Sequence, residues 1–198
     1  CLQEVNQLVE SEQVVQAPFY YAVDGAIPIH QDHYALRLVE KLAEAGLDYY
    51  WSWAYNHIGF DIYNEGVAIL SRKPLTAREL LVSDVNDPTD YHTRKVLLAE
   101  TELEGQFITV ASCHLSWWDK GFQGEWAKFE SELLQVQTPL VLMGDFNNPV
   151  GYEGYQHILK SPLALQDSHA VANTVVGKAT VEGDIAGWAG NKDALKID

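Results

Sequence analysis

Asp145 and Asn147 stand two residues apart in Gly144-Asp145-Phe146-Asn147, directly after the apolar run Pro139-Leu-Val-Leu-Met143. In an extended backbone that spacing turns both side chains to one face. A carboxylate able to take a proton or a metal would then sit beside a carboxamide able to donate to an oxyanion. The pair also suits an Asx turn closing a strand, and the motif alone supports either reading. Four more polar residues stand where strand-like segments begin or end. Glu4, in Leu2-Gln3-Glu4-Val5, is a solvent-facing terminus or an oxygen ligand for a hard cation such as Mg2+. His114, after the apolar segment 107–113, is a ring satisfied by a backbone carbonyl, or an acid or a phosphate contact. Glu65, ahead of Gly66-Val-Ala-Ile-Leu-Ser71, caps a turn or orients an imidazole. Arg94, in Tyr91-His92-Thr93-Arg94, is an exposed edge residue or a fork-shaped phosphate clamp. Gathered on one rim, these residues would supply what phosphate-ester hydrolysis needs, positioning plus electrostatic stabilisation.

The elements that must position them are readable from apolar spacing. The segment 139–143, bounded by Pro and Gly, reads as a fully buried strand,. Segments 49–55, 67–71, 95–103 and 107–113 read as further strands, the last two joined through Glu104-Gly105 as a hairpin,. Ala35, Leu38, Val39, Leu42 and Ala45 recur at helical spacing ahead of Gly46, predicting a helix over 31–45,. Trp126, Phe129, Leu133 and Val136 define a second helix, and 155–159 a short third. The stretches 84–93 and 171–193 read as loops. Strands outnumber helices and hairpins dominate, so the expectation is a single α+β layered domain with largely antiparallel sheets. Cys1 to Val5 reads as a strand already in progress and Leu195 to Asp198 as one just begun, so both ends of the chain are expected to fall inside secondary structure.

Composition narrows the function. The chain has 198 residues, 47% of them hydrophobic, with 13 Lys and Arg against 28 Asp and Glu, a net charge of -15. Grip on a polyanion comes from clustered Lys and Arg, so this balance argues against nucleic acid as a partner. Cys1 and Cys113 lie in apolar strand-like segments as small buried hydrophobes, without disulfide or zinc spacing, which suggests a reducing compartment,. No apolar run is long enough to span a membrane, and nothing at the start resembles a signal peptide.

Taken in order, Leu2-Gln3-Glu4, Glu65 to Ser71, Ser112-Cys113-His114-Leu115, Gly144-Asp145-Phe146-Asn147 and Lys196-Ile197-Asp198 resemble the endonuclease/exonuclease/phosphatase family, of deoxyribonuclease I-like fold. The resemblance implies a four-layer α/β/β/α sandwich with the site at one end. It implies that Glu4 holds Mg2+, with Mn2+ as an alternative, and that Asp145 lies beside the attacking water. Asn147 and His114 would contact the scissile phosphate, Glu65 would orient His114, and Arg94 would add a phosphate contact. Asp167, in Leu165-Gln166-Asp167-Ser168, is a further candidate that a structural turn explains equally well. Asp198 would sit behind a second histidine, which in the family arrives in a later Ser-Asp-His segment. Neither that segment nor the family's Asn-bearing first strand is present, so the 198 residues are expected to be an incomplete copy of the catalytic domain.

Family resemblance leaves the substrate open. Six Trp and ten Tyr are many for this length. Trp51, Trp53 and Trp126 are expected in the core; Trp117, Trp118, Tyr152, Tyr155 and Trp188 fall in rim loops. Adjacent Trp117 and Trp118 cannot both point inward from an extended segment, so at least one should face the cleft and hold a sugar ring or a base. The stretches His114 to Trp126, Gly144 to Pro149 and Glu182 to Trp188 resemble the maltose 6'-phosphate phosphatases of lactic acid bacteria. That implies a cytoplasmic enzyme acting on a small phosphorylated disaccharide. A nuclease of the same fold is the alternative reading. A binding module without catalysis is the third, and the joint presence of Glu4, Asp145, Asn147 and His114 argues against it.

Overall fold

The computed structural model describes residues 1–184 and 189–198. Along them run β1 (Leu2–Leu8), α1 (Tyr34–Glu44), β2 (Tyr50–Gly59), β3 (Tyr63–Ser71), β4 (Leu75–Leu81), β5 (Lys95–Leu103), β6 (Gln106–His114), α2 (Phe122–Leu133), β7 (Leu140–Asp145), α3 (Glu153–Leu159), α4 (Ser168–Val171), β8 (Val181–Glu182) and β9 (Ala194–Leu195). One sheet has the order β1-β3-β2, the other β4-β5-β6-β7, and β8 pairs with β9. All pairings are antiparallel except that of β6 with β7.

The period-two alternation of strands sorts the apolar residues into three layers of core. In β5, Val96 and Leu98 turn to α2, where they meet Phe122, Trp126, Phe129 and Leu133. Their neighbours Leu97 and Ala99 turn the other way, onto Ala54, Val67 and Ile69 of the opposite sheet. In β2, Trp51 and Trp53 face α1 and pack on Leu36 and Val39. Strands sandwiched in this way carry apolar side chains on both faces, which explains their near-continuous apolar runs. The result is the expected four layers, α1, sheet, sheet, α2.

Several local expectations are refined. The β5–β6 turn is the two-residue hairpin read at Glu104-Gly105, with φ of 50° and 82° as a type I′ turn requires,. β2 and β3 extend beyond the predicted 49–55 and 67–71, to Gly59 and back to Tyr63. α2 ends at Leu133, so Val136 lies past it, its N–H bonded to the Leu133 carbonyl. β4 was not predicted, and β8 falls within the stretch 171–193 read as loop. β7 is an edge strand rather than a fully buried one, with Val141 and Met143 each 39% exposed. Cys113 is buried as expected, whereas Cys1 is only partly so, and both are free thiols. Leu195 is the last residue of β9. Lys196 to Asp198 leave that pairing and run beside the segment after β7, through Phe146 N–H to Ile197 O at 3.0 Å and Val150 N–H to Lys196 O at 2.9 Å. No helix among the described residues is long and apolar enough to cross a membrane.

Candidate functional site

The parallel pairing of β6 with β7 sets His114 directly beside Asp145, one at the end of each strand. Nε2 of the ring lies 3.7 Å from Oδ2 of the carboxyl. The strands come this close at Gly144, where φ is +140° and a Cβ would stand 2.0 Å from the Cys113 carbonyl oxygen, so only glycine fits,. The backbone does not stay extended through Phe146. Asn147 takes a left-handed φ of 52°, and its N–H donates to Asp145 Oδ1 at 2.8 Å. The Asx turn, not same-face spacing along a strand, is therefore what places the two candidate side chains. The buried Asn147 carboxamide is held by Nδ2 donating to the Leu115 carbonyl at 2.9 Å.

Glu4 reaches the same rim from inside β1 rather than from a strand end. Between Leu2, paired with Ala68, and Val5, paired with Gly66, one extra residue makes a bulge, and Glu4 adopts φ +53° there,. β1 is pinned across to β6, Gln3 Nε2 donating to Ser112 Oγ and that hydroxyl to the Leu2 carbonyl, each at 3.3 Å. Partial burial and the nearby Glu65 raise the Glu4 pKa, against the pull of Arg94,.

Glu65 lies within β3, and among the described residues its carboxylate makes no ion pair with His114. Its partner is His57, Nε2 to Oε1 3.4 Å. A bulge between Tyr55 and His57 in β2 places that histidine directly opposite Glu65. The His57 hydrogen bond is the largest of the influences holding the Glu65 carboxyl below its usual range, and His114 adds only through its field. His57 escaped sequence reading because Asn56-His57-Ile58 simply prolongs a strand. The available signal was a histidine on an apolar strand leading toward a predicted site.

Arg94 is not an exposed edge residue. It is 5% exposed, and among the described residues it makes no ion pair and its Nε has no hydrogen-bond partner. Burial lowers its pKa, against the fields of Glu125, Glu65, Asp145 and Glu4. A buried guanidinium amid carboxylates that do not touch it is suited to meeting an anion. Burial, with Arg94 adding to it, pushes His114 down to about 3, so the ring is neutral at physiological pH. Asp145 moves the other way, up to about 7, through burial first and then the charges of Asp198 and Glu4, opposed by the Asn147 N–H and Arg94. A carboxyl poised near neutrality is suited to general-base work. Asp198 contributes through this field and makes no ion pair with a histidine among the described residues. Asp167 is structural: it caps α4, pairs with Lys196 Nζ at 2.7 Å and accepts from Tyr155 Oη at 3.1 Å.

Beside this cluster opens a cleft of about 1060 Å³ that Arg94 and Asn147 share with Tyr91, Trp117, Trp118 and Tyr152. Trp117 lines it with its ring while its indole N–H is buried and, among the described residues, without a partner; Trp118 also packs on the core, 6.0 Å from Phe122 and 5.5 Å from His157. Tyr155 lies away from the cleft, and Trp188 falls outside the described residues. Among the described residues no three His, Cys, Asp or Glu side chains are grouped to cage a metal. Glu4 nevertheless fits Mg2+, which is usually held by one or two carboxylates, with water and substrate phosphate completing the shell.

The sequence matches the Endonuclease/Exonuclease/phosphatase family over residues 1–194. The chain belongs to this family. Its members are mostly hydrolytic enzymes, phosphatases and nucleases among them. The fold of this endonuclease/exonuclease/phosphatase protein is similar to that of a family protein from Leptotrichia buccalis C-1013-b, with a TM-score of 0.79 and 29% identity, covering 99% of this chain and 72% of that one. It is also similar to the human nocturnin catalytic domain (TM-score 0.53, 18% identity, 68% of this chain and 55% of that one). A conserved protein from Enterococcus faecalis V583 is related in the same way (TM-score 0.50, 19% identity, 72% and 70%). At these last identities the likeness is one of fold. No curated protein sequence matches the chain.

Proposed function

We propose that this family member is a divalent-metal-dependent phosphomonoesterase that releases phosphate from a small sugar phosphate, a phosphorylated disaccharide such as maltose 6'-phosphate, in the cytoplasm. The observation that carries this reading is the position of Arg94 and Asn147. Both are buried and both line a cleft walled by aromatic side chains, while the Asn147 N–H bonds Asp145 and the charge of Arg94 reaches His114 and Asp145. A phosphate held by the guanidinium would leave the rest of a small ester in the cleft. The cleft's volume is at the upper end of that of small-molecule sites,. Trp117 and Tyr152 offer flat apolar faces for a sugar ring,.

The chain's own groups divide the work. Arg94 orients the phosphoryl group and offsets its charge. Asn147, fixed by its bond to Leu115, presents its remaining amide hydrogen to a phosphoryl oxygen. His114, neutral and beside Asp145, hydrogen-bonds the same group, and Asp145 accepts a proton from the attacking water,. Glu4 is the carboxylate that would hold a divalent cation, which when bound supplies electrostatic stabilisation of the phosphoryl oxygens. The net charge of -15 supports a small substrate over a polynucleotide,. The test is a panel of phosphomonoesters and plasmid DNA assayed with and without Mg2+. Phosphate release from maltose 6'-phosphate without nicking of DNA supports the reading, and nicking without phosphate release would replace it with a nuclease.

A further inference from the structure

His57 has no part in the chemistry above, yet it is 4% exposed and lies between the site and the 84–93 loop. One ring nitrogen faces Glu65, and the other, Nδ1, lies 3.2 Å from the carbonyl oxygen of Thr93. The next residue is Arg94. No carboxylate pairs with that guanidinium among the described residues, so no ion pair holds it independently of the backbone that carries it. On one side this backbone is held by the loop's own residues. Thr93 Oγ1 donates to the Asp87 carbonyl at 2.7 Å and accepts the Asp87 N–H at 3.0 Å, and Arg94 N–H donates to Ser83 Oγ at 2.8 Å. On the other side the bonds come from β2, through His57 and through Ile58 N–H to the Pro88 carbonyl at 2.6 Å.

We propose that His57, carrying an N–H on each ring nitrogen, is a positioning residue that donates to the Glu65 carboxylate and to the Thr93 carbonyl and so fixes the peptide from which the Arg94 guanidinium reaches the phosphate. The inference rests on reading Arg94 as the phosphate clamp. Glu65 then acts at one remove from the chemistry: it holds the ring that holds the loop. The Ile58–Pro88 bond is a backbone contact and survives any substitution at position 57, so the loop stays docked while the Thr93 carbonyl loses its partner.

The test is binding of inorganic phosphate in the presence of Mg2+, by isothermal titration calorimetry, to the parent protein and to Arg94→Ala, His57→Leu, His57→Gln and the two Arg94→Ala double variants, each with its melting temperature recorded. Arg94→Ala is expected to weaken phosphate about tenfold or more, the loss of a charge-assisted contact. His57→Leu should weaken it about fivefold through coupling to Arg94, and His57→Gln less, because its carboxamide still donates to one of the two acceptors. On the Arg94→Ala background neither His57 change should add a further loss, since placement no longer matters once the guanidinium is gone. A merely structural histidine would not give that non-additivity. If the leucine variant does not fold, the glutamine variant carries the same comparison. Weakened binding in Arg94→Ala with unchanged binding in the His57 variants, or with losses that add in full, overturns the positioning role alone. Unchanged binding in Arg94→Ala overturns the clamp reading beneath it.

Discussion

Replacing Asp145 with Asn should stabilise the metal-free protein at neutral and alkaline pH while destroying the proposed base. The folded state pushes this carboxyl up to about 7 from 3.8. Below about pH 3.8 the group is protonated in both states, and its ionisation costs folding nothing,. Between 3.8 and 7 the unfolded chain gives up the proton and the folded chain keeps it, so stability falls as pH rises; above 7 the loss is complete. At 1.36 kcal/mol per pH unit, a gap of about 3 units is worth about 4 kcal/mol,. Asn stays neutral throughout, and its Oδ1 can still accept the Asn147 N–H that Asp145 takes at 2.8 Å. Urea unfolding in EDTA should show Asp145→Asn more stable than the parent by about 4 kcal/mol at pH 8, with the difference shrinking below pH 7 and gone near pH 4. Taking the difference removes His114 to first order. That ring's depressed pKa, about 3 against 6.5, acts with the opposite sign, giving stability that is present above 6.5 and lost as pH falls toward 3. A difference independent of pH, or a variant less stable than the parent at pH 8, would refute the reasoning.

Gly144→Ala should destabilise the fold by about 3 kcal/mol or more in chemical denaturation, because its Cβ meets the Cys113 carbonyl in a left-handed backbone,; a loss under about 1 kcal/mol would contradict the close β6–β7 approach. Trp117→Ala should raise KM for a sugar phosphate about tenfold with little change in melting temperature. Trp118→Ala should instead lower stability by about 2 kcal/mol through lost packing on Phe122 and His157,. Glu4→Gln should raise the Mg2+ concentration for half-maximal activity about tenfold, measured as phosphate release against Mg2+, and an unshifted midpoint would remove Glu4 from the metal site.

What the sequence made legible follows the physics of each element. β5 was readable end to end because Val96, Leu97, Leu98 and Ala99 are buried on both sides, leaving an unbroken apolar run. β4 was not, because as an edge strand it carries Arg78 and Glu79, which pair with Glu132 and Lys95 and erase the alternation. β7 has the same edge position with an apolar sequence, so its existence was clear and its burial was misjudged. The residues of the candidate site can be picked out by type near strand ends, but their partners depend on bulges. One in β1 turns Glu4 to the rim, and one in β2 gives Glu65 to His57 instead of His114. A bulge is a register shift between strands distant in sequence, and Tyr55-Asn56-His57 carries no local mark of it. The Asx turn and the functional reading of Asp145 and Asn147 competed in the sequence; the turn is present in the structure, and it leaves Asp145 beside His114, so the two readings are compatible.

The central claim is that Asp145, beside His114 and Asn147 on the rim, is the base of a metal-dependent phosphomonoester hydrolysis. It is tested most directly by the rate of phosphate release from maltose 6'-phosphate, parent against Asp145→Ala, with Mg2+ and with EDTA. The account predicts Mg2+-dependent release by the parent, abolished by EDTA, and a rate lower by about 100-fold or more in the variant. Release that persists in Asp145→Ala at the parent's rate would contradict it.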